Sequence, residues 1–477
     1  DDDEEELKYE LLVKAANRYQ NQIKDNLAAI DMLRQALDVR AADRPVLSKL
    51  EALLREEEMW PDLLETLQLE ASVAEQTDDR VKLRRKIGKL LSKEMAEPSE
   101  ALEAFKTVLY EAPEDEETIA AVGEIGENFD ELRLEAAEIL EPVLRSTGKY
   151  DKLVGVLEMR LEAQLGAPER AQTLRAIADV LDGPLSDQGK AVDALIRALA
   201  ETPEDTNLHN DIERLAESSD GYAKYADTLE ERASKIFEAA LATDLWKRLG
   251  RICEEKLKDD NRAVEAYTRA LEQSGDTPEL LESLDHLHTK LENPQPLSEI
   301  LERRVSVETD ARAQADLYHR LAVLQIDSFG DRTQGLETLR MALDHAPDHE
   351  RARETLEKLT QDRDLFEEAA SALEVVYRAQ SDYESLAGLY EKRVSFADAP
   401  MDRLQVRLEL AQVLEEQAFD SQRAQRVMEA ALGDDPADNQ VLGKLQDLAE
   451  LNHQWTEAAK AVSEALQKAD GLDPMTA

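Results

Sequence analysis

The sequence predicts an all-α chain built from stacked helix pairs. Three observations carry that prediction. Helix-forming Ala, Leu, Glu, Arg and Gln dominate, while Gly and Pro number only 17 and 15 in 477 residues. Apolar residues recur at helical spacing, in stretches of about 12–18 residues separated by short turns. One pattern of small, large and proline residues then returns along the whole length.

The frame of that repeat is set by a small residue in the first helix of each pair: Ala16, Gly88, Ala178, Gly250, Ala322 and Ala411. Twenty-one positions on stands a leucine each time: Leu37, Leu109, Leu199, Leu271, Leu343 and Leu432. Between them lie Ala29/Leu33, Ala101/Phe105, Ala191/Leu195, Ala263/Tyr267, Gly335/Leu339 and Ala424/Met428. Close approach of two helices needs small side chains at the crossing and large ones beside it. Frames are spaced 72, 90, 72, 72 and 89 residues apart, so two of them hold an extra helix, near 128–148 and 362–382. Equivalent leucines repeat at 234, 234 and 233, a near-tandem duplication. About 26 helices are expected, 13 per block, with a disordered acidic tail at 1–6 and blocks at 7–240 and 241–477 forming one continuous solenoid. An odd helix number reverses the up-down phase, so either the stack breaks at the extra helix or a helix there packs irregularly. The last helix is expected to stop at Gly471–Pro474.

Asp244 to Pro278 shows the repeat most fully. Trp246, Leu249 and Gly250 are followed by Cys253, then Ala263 and Tyr267, Ala270 and Pro278. This resembles the tetratricopeptide repeat (TPR), a helix–turn–helix unit of about 34 residues with a W-x2-L-G…A-x3-F…P pattern. The turn around 259–261 is one residue longer than the family's. The resemblance covers about residues 7–470, and the chain resembles the long, acidic bacterial TPR arrays. It implies a right-handed superhelix with a concave groove used for protein–protein contact.

Net charge is −47. That disfavours nucleic acid and anionic membranes, which attract positive patches, and permits basic partners. No segment has the roughly 18 apolar residues of a membrane span. One cysteine excludes an intrachain disulfide framework. A cytoplasmic location is expected; a signal absent from this stretch would make it periplasmic.

No catalytic motif is present, and no enzyme activity, cofactor or metal is expected. Cys253 occupies a packing slot. His286 and His288 are two apart and point to different helix faces, a poor metal pair. His345 and His349 flank Pro347 and read as solvent-exposed. Arg160, Arg232, Arg304 and Arg393 recur in register, with Glu70 as the exception, and read as partners of a neighbouring helix's carboxylate.

One stretch departs from the rest. Arg80–Lys93 carries seven basic residues and no acid. Lys82, Arg85, Lys89 and Lys93 fall on the face that carries ligand contacts in TPR proteins. This basic rung suits an acidic peptide or C-terminal carboxylate, an acidic patch of this chain or of a second copy, or a solvated face balanced by nearby Glu. The Lys-x3-Asn pair of chaperone-binding relatives is not reproduced, since Lys93 follows Lys89. The expected function is a non-enzymatic scaffold binding a protein or peptide partner. Alternatives are a head-to-tail self-assembling array and the regulatory arm of a larger enzyme.

Overall fold

The computed structural model describes residues 2–41 and 43–468. Asp1 and the expected stop at Gly471–Pro474 lie outside them. Within them there are 26 α-helices and no strand. The chain divides into two compact units, Asp1–Lys235 and Ile236–Ala477, five residues before the boundary expected from sequence.

The first unit holds α1 (Asp2–Arg18), α2 (Asn26–Val39), α3 (Arg44–Glu56) and α4 (Trp60–Val73). It continues with α5 (Thr77–Lys93), α6 (Pro98–Glu111), α7 (Glu116–Asn128), α8 (Arg133–Ser146) and α9 (Tyr150–Ala163). It closes with α10 (Ala167–Asp182), α11 (Gln188–Glu201), α12 (Thr206–Ser219) and α13 (Tyr222–Lys235). The second unit repeats the series as α14 (Ala239–Ile252), α15 (Asp260–Ser274), α16 (Pro278–Lys290) and α17 (Pro294–Val307). There follow α18 (Ala311–Asp327), α19 (Arg332–His345), α20 (Glu350–Leu359), α21 (Phe366–Gln380) and α22 (Tyr383–Phe396). The last are α23 (Pro400–Glu416), α24 (Ser421–Ala431), α25 (Asn439–Asn452) and α26 (Trp455–Lys468). Each unit is a solenoid of TPR-like hairpins, each helix packed against its chain neighbours within the same unit.

The small residues sit where the sequence frame places them. A Cβ on Gly88 would overlap the Phe105 ring of α6, and one on Gly250 would overlap Tyr267 of α15. The hairpin corner has its own repeated backbone. Eight residues after each small residue the chain turns left-handed, at Lys24, Ala96, Ser186, Lys258, Gly330 and Phe419. The next amide bonds back to a carbonyl six residues earlier, as in Asp187 to Leu181 (2.7 Å) and Asp331 to Gln325 (2.9 Å). This closure, from residue i to the carbonyl of i−6, satisfies an orphan carbonyl of the ending helix. The same residue then caps the next helix: Asp25, Asp187, Asp259, Asp331 and Asp420 each accept from the amide three residues on. Ahead of two of these corners the helix ends in a π-helical stretch, Tyr19–Ile23 and Cys253–Leu257.

The extra helices are α8 and α21. Each packs against the helix before it and the helix after it, so neither stack breaks. A short 3-10 turn, Asp130–Leu132, leads into α8, and α20 is cut to ten residues ahead of α21. The irregular-packing alternative is the one realised.

Two expectations are corrected. Residues 2–6 are not a disordered tail but the first turns of α1. Glu6 also pairs with Arg40 at the end of α2. His349 is buried rather than exposed, with His345 alone at the surface. It occupies the N-cap position that Asp115 and Asp205 fill in other frames, so its Nδ1 accepts the Ala352 amide (3.1 Å).

The recurrent arginines reach back one helix, to a carboxylate 19 residues earlier. Arg160 meets Glu141 at 2.8 Å, Arg393 meets Glu374 at 3.3 Å, and Arg304 meets the buried Asp285. Arg232 departs from this, its nearest carboxylate being Glu231 at 3.9 Å. His288 is buried beside Asp285 while His286 is exposed, so the two do point apart.

Candidate functional site

The basic stretch forms α5, between α4 and α6 and across from α7. Its polar residues are spaced to leave Val81, Leu83, Ile87, Leu90 and Leu91 for the core. Helix spacing then spreads the seven cations over the rest of the surface.

The structure divides these cations. Arg80 and Arg84 reach Glu111 at 3.2 and 2.7 Å, and Lys86 reaches Glu51 at 2.8 Å. Arg85 bonds Asp115 at 2.9 Å and lies 3.5 Å from Glu117. Lys89 bonds Glu117 at 2.7 Å. Lys82 and Lys93 are exposed and have no ion pair among the described residues. The four candidate residues therefore share one face, but two of them are held by α7.

Arg85 is a strut more than a free cation. Thirty positions beyond it lies the N-cap of α7, Asp115, which also accepts the Thr118 amide at 2.9 Å. Arg175 makes the same contact to Asp205 at 2.8 Å. Lys247 makes a neighbouring one to Glu279 at 2.6 Å. Burial would raise the Asp115 carboxyl; the Thr118 hydrogen bonds and the Arg85 charge outweigh it and hold it below the usual range. The Lys89 hydrogen bond, helped by the Arg85 charge, likewise lowers Glu117.

Between α5 and α7 opens a cavity of about 320 Å³. Lys89, Lys93 and Ser92 form one wall, Glu117 and Glu124 the other, and Ile125 and Phe129 supply apolar surface. It can hold an extended segment with one anionic group and a short apolar side chain. Sequence reading missed the α7 side of this cleft. The signal was available in the acidic run after Pro113, at a fixed offset from the basic residues. No cluster of three or more metal-ligating side chains occurs among the described residues. No helix among them is long and apolar enough to cross a membrane.

No protein-family model and no curated protein matches the chain. Solved structures do match. YrrB, described as a TPR protein with an unusual peptide-binding site, is 18% identical, with 39% of this chain and 91% of YrrB covered and a TM-score of 0.25. A TPR protein from Parabacteroides merdae is 16% identical, over 59% and 99% of the two chains, at a TM-score of 0.20. The TPR2AB domain of yeast Sti1, in complex with pHSP90, is 16% identical over 57% and 98%, also at 0.20. Superpositions this loose leave the fold to stand on the hairpin geometry described above.

Proposed function

We propose that the chain is a non-enzymatic protein-interaction scaffold whose basic rung receives an acidic segment of a partner. The supporting observation is the cleft between α5 and α7. Lys93 stands there without an ion pair among the described residues, and Lys89 is tied only to an exposed glutamate. A ligand carboxylate would exchange with Glu117 at little cost, because exposed ion pairs are worth only about 0–1 kcal/mol. Lys82 extends the same face by two turns, and Arg85 shapes it through Asp115. The test uses a fluorescent Asp/Glu-rich peptide with a free C-terminus. Reversing Lys82, Lys89 and Lys93 to Glu should abolish saturable binding with helicity unchanged. Equal affinity for the reversed protein would refute the site.

A second reading, head-to-tail self-association, is favoured by one pair of surfaces. In the second unit, Leu317 and Leu321 of α18 pack on Leu297, Leu301 and Val305 of α17. The positions matching those of α17 are Ala458, Val462 and Leu466 in α26, which line an open apolar trough of about 660 Å³. The position matching Leu317 is Leu11 in α1, which is exposed. Sedimentation at rising concentration should show growth that Leu466→Glu removes. A constant mass would rule this reading out.

A further inference from the structure

The extra helix opens a groove that the duplication has preserved. In the first unit, Lys106, Leu109, Tyr110 and Pro113 at the end of α6 face Glu135, Glu138, Ile139 and Pro142 of α8, enclosing about 640 Å³. In the second unit, Arg340, Leu343, Asp344 and Pro347 of α19 and the following turn face Glu368, Ser371, Ala372 and Val375 of α21, enclosing about 580 Å³. The two linings correspond position for position, at 234 residues on one wall and 233 on the other.

The chemistry of the two grooves is alike although the side chains have drifted. The floor is apolar: Leu109 and Ile139 in one, Leu343 and Val376 in the other. A large apolar side chain stands out from each wall, Tyr110 at 89% exposure and Val375 at 68%. A lone exposed apolar residue needs no explanation; here one stands over an apolar floor in each half, Tyr110 on the α6 wall, where the second unit has Asp344, and Val375 on the α21 wall, where the first has Pro142. The single cation of each groove is tied back along its own helix, Lys106 to Glu103 (3.2 Å) and Arg340 to Glu337 (3.1 Å). Glu135, Glu138, Asp344 and Glu368 have no ion pair among the described residues. Each groove thus combines an apolar floor with carboxylates left over at the rim.

We infer that these are two equivalent docking grooves for a basic amphipathic helix of another protein. The α8 wall from Glu135 to Ser146 runs about 16 Å at 1.5 Å per residue, which suits two to three turns of a bound helix. Such a ligand sets apolar side chains, spaced three and four apart, on the floor, and its Lys or Arg against the rim. An acidic helix meets the unpaired carboxylates, and a copy of α1 carries the wrong charge. This goes beyond the acidic-ligand cleft of α5 and α7: the site, the ligand charge and the stoichiometry all differ.

The test is titration with a synthetic helical peptide of about 12 residues, leucines on one face and lysines on the other, at low and moderate salt. Two equivalents should bind per chain, weakening as salt rises. Tyr110→Glu should remove one equivalent, Val375→Glu the other, and the double variant both, each lost site weakening by about tenfold or more. Both positions are exposed, so circular dichroism should be unchanged. Reversal of Lys82, Lys89 and Lys93 should not alter this binding, which separates it from the function proposed above. One equivalent instead of two, binding untouched by the double variant, or equal binding of a peptide with glutamate in place of lysine would each overturn the inference.

Discussion

Helices α3–α6 and α16–α19 occupy the same place in the two units, 234 residues apart, and solve the same packing problem with opposite charges. In the second unit Asp285 is buried between Arg304 and Arg320. In the first, the position of Arg304 is Glu70 and that of Asp285 is Glu51, so two carboxylates stand together, with Lys86 and Arg55 bonded to Glu51 and no arginine in the place of Arg304. One Glu70 oxygen is buried with no hydrogen-bond partner. The fold therefore does not need this ion pair; it needs the volume, and it tolerates a poorly matched charge at a surface that water reaches.

The sharpest way to break the comparison is to delete the carboxylate. Asp285→Ala leaves two arginines facing each other, and its loss should cost about 3–5 kcal/mol, the usual figure for one partner of a buried pair. Glu51→Ala, its counterpart, relieves Glu70 and should stay within about 1 kcal/mol of wild type. Denaturant unfolding gives the sum, and hydrogen exchange across α16–α18 and α3–α5 assigns each effect to its region.

Packing in the same two regions is complementary in size. Gly88 faces Phe105 in the first, where Ala322 and Leu339 take those places in the second. Gly88→Ala should cost about 1–3 kcal/mol by overpacking, and adding Phe105→Leu should recover most of it. A double variant no better than the single one would show that the ring is not the obstacle.

Acid should move the regions in opposite directions. Burial raises Asp285, but the Arg320 and Arg304 hydrogen bonds and charges outweigh it, leaving the folded carboxyl below its ordinary 3.8. Its stabilisation is present above the unfolded value and is lost as pH falls through the folded one. Burial and the Glu51 charge raise Glu70 above its ordinary 4.5. Its penalty sets in as pH rises past 4.5 and is relieved on the way down. Exchange protection measured from pH 6 to 3 should therefore fall first in α16–α18. Glu70→Arg, restoring the usual pair with Glu51, should flatten the response of α3–α5 and add up to about 1 kcal/mol.

The smallest effect is at the corners. Ala96 and Gly330 hold equivalent left-handed positions, at φ of 56° and 70°. Ala96→Gly should stabilise by about 0.5–1 kcal/mol and Gly330→Ala should destabilise by a similar amount, read as shifts in the denaturant midpoint.

The sequence displayed what packing imposes and hid what the backbone imposes. The Gly88/Phe105 and Gly250/Tyr267 contacts could be read from spacing because steric exclusion leaves few residue choices. The left-handed corners could not, since Lys24, Ala96, Ser186, Lys258 and Phe419 share no side-chain property and only Gly330 shows the usual mark. His349 was misread for a related reason: a turn histidine looks exposed until its role as a helix cap is seen across frames. At the candidate site, the basic face of α5 and the acidic run after Pro113 were both legible, but which carboxylates would hold Arg85 and Lys89 was not, because those pairs bridge helices that are neighbours only in space.

Five of the six hairpin corners are bent into a shape their own residues disfavour. An isolated hairpin cut from this chain should therefore fray first at its elbow, from the helix ends that meet there. What holds the bend is one amide bond back to the ending helix and, at five corners, the aspartate capping the next, so the turn and the two helix ends it joins stand or fall together.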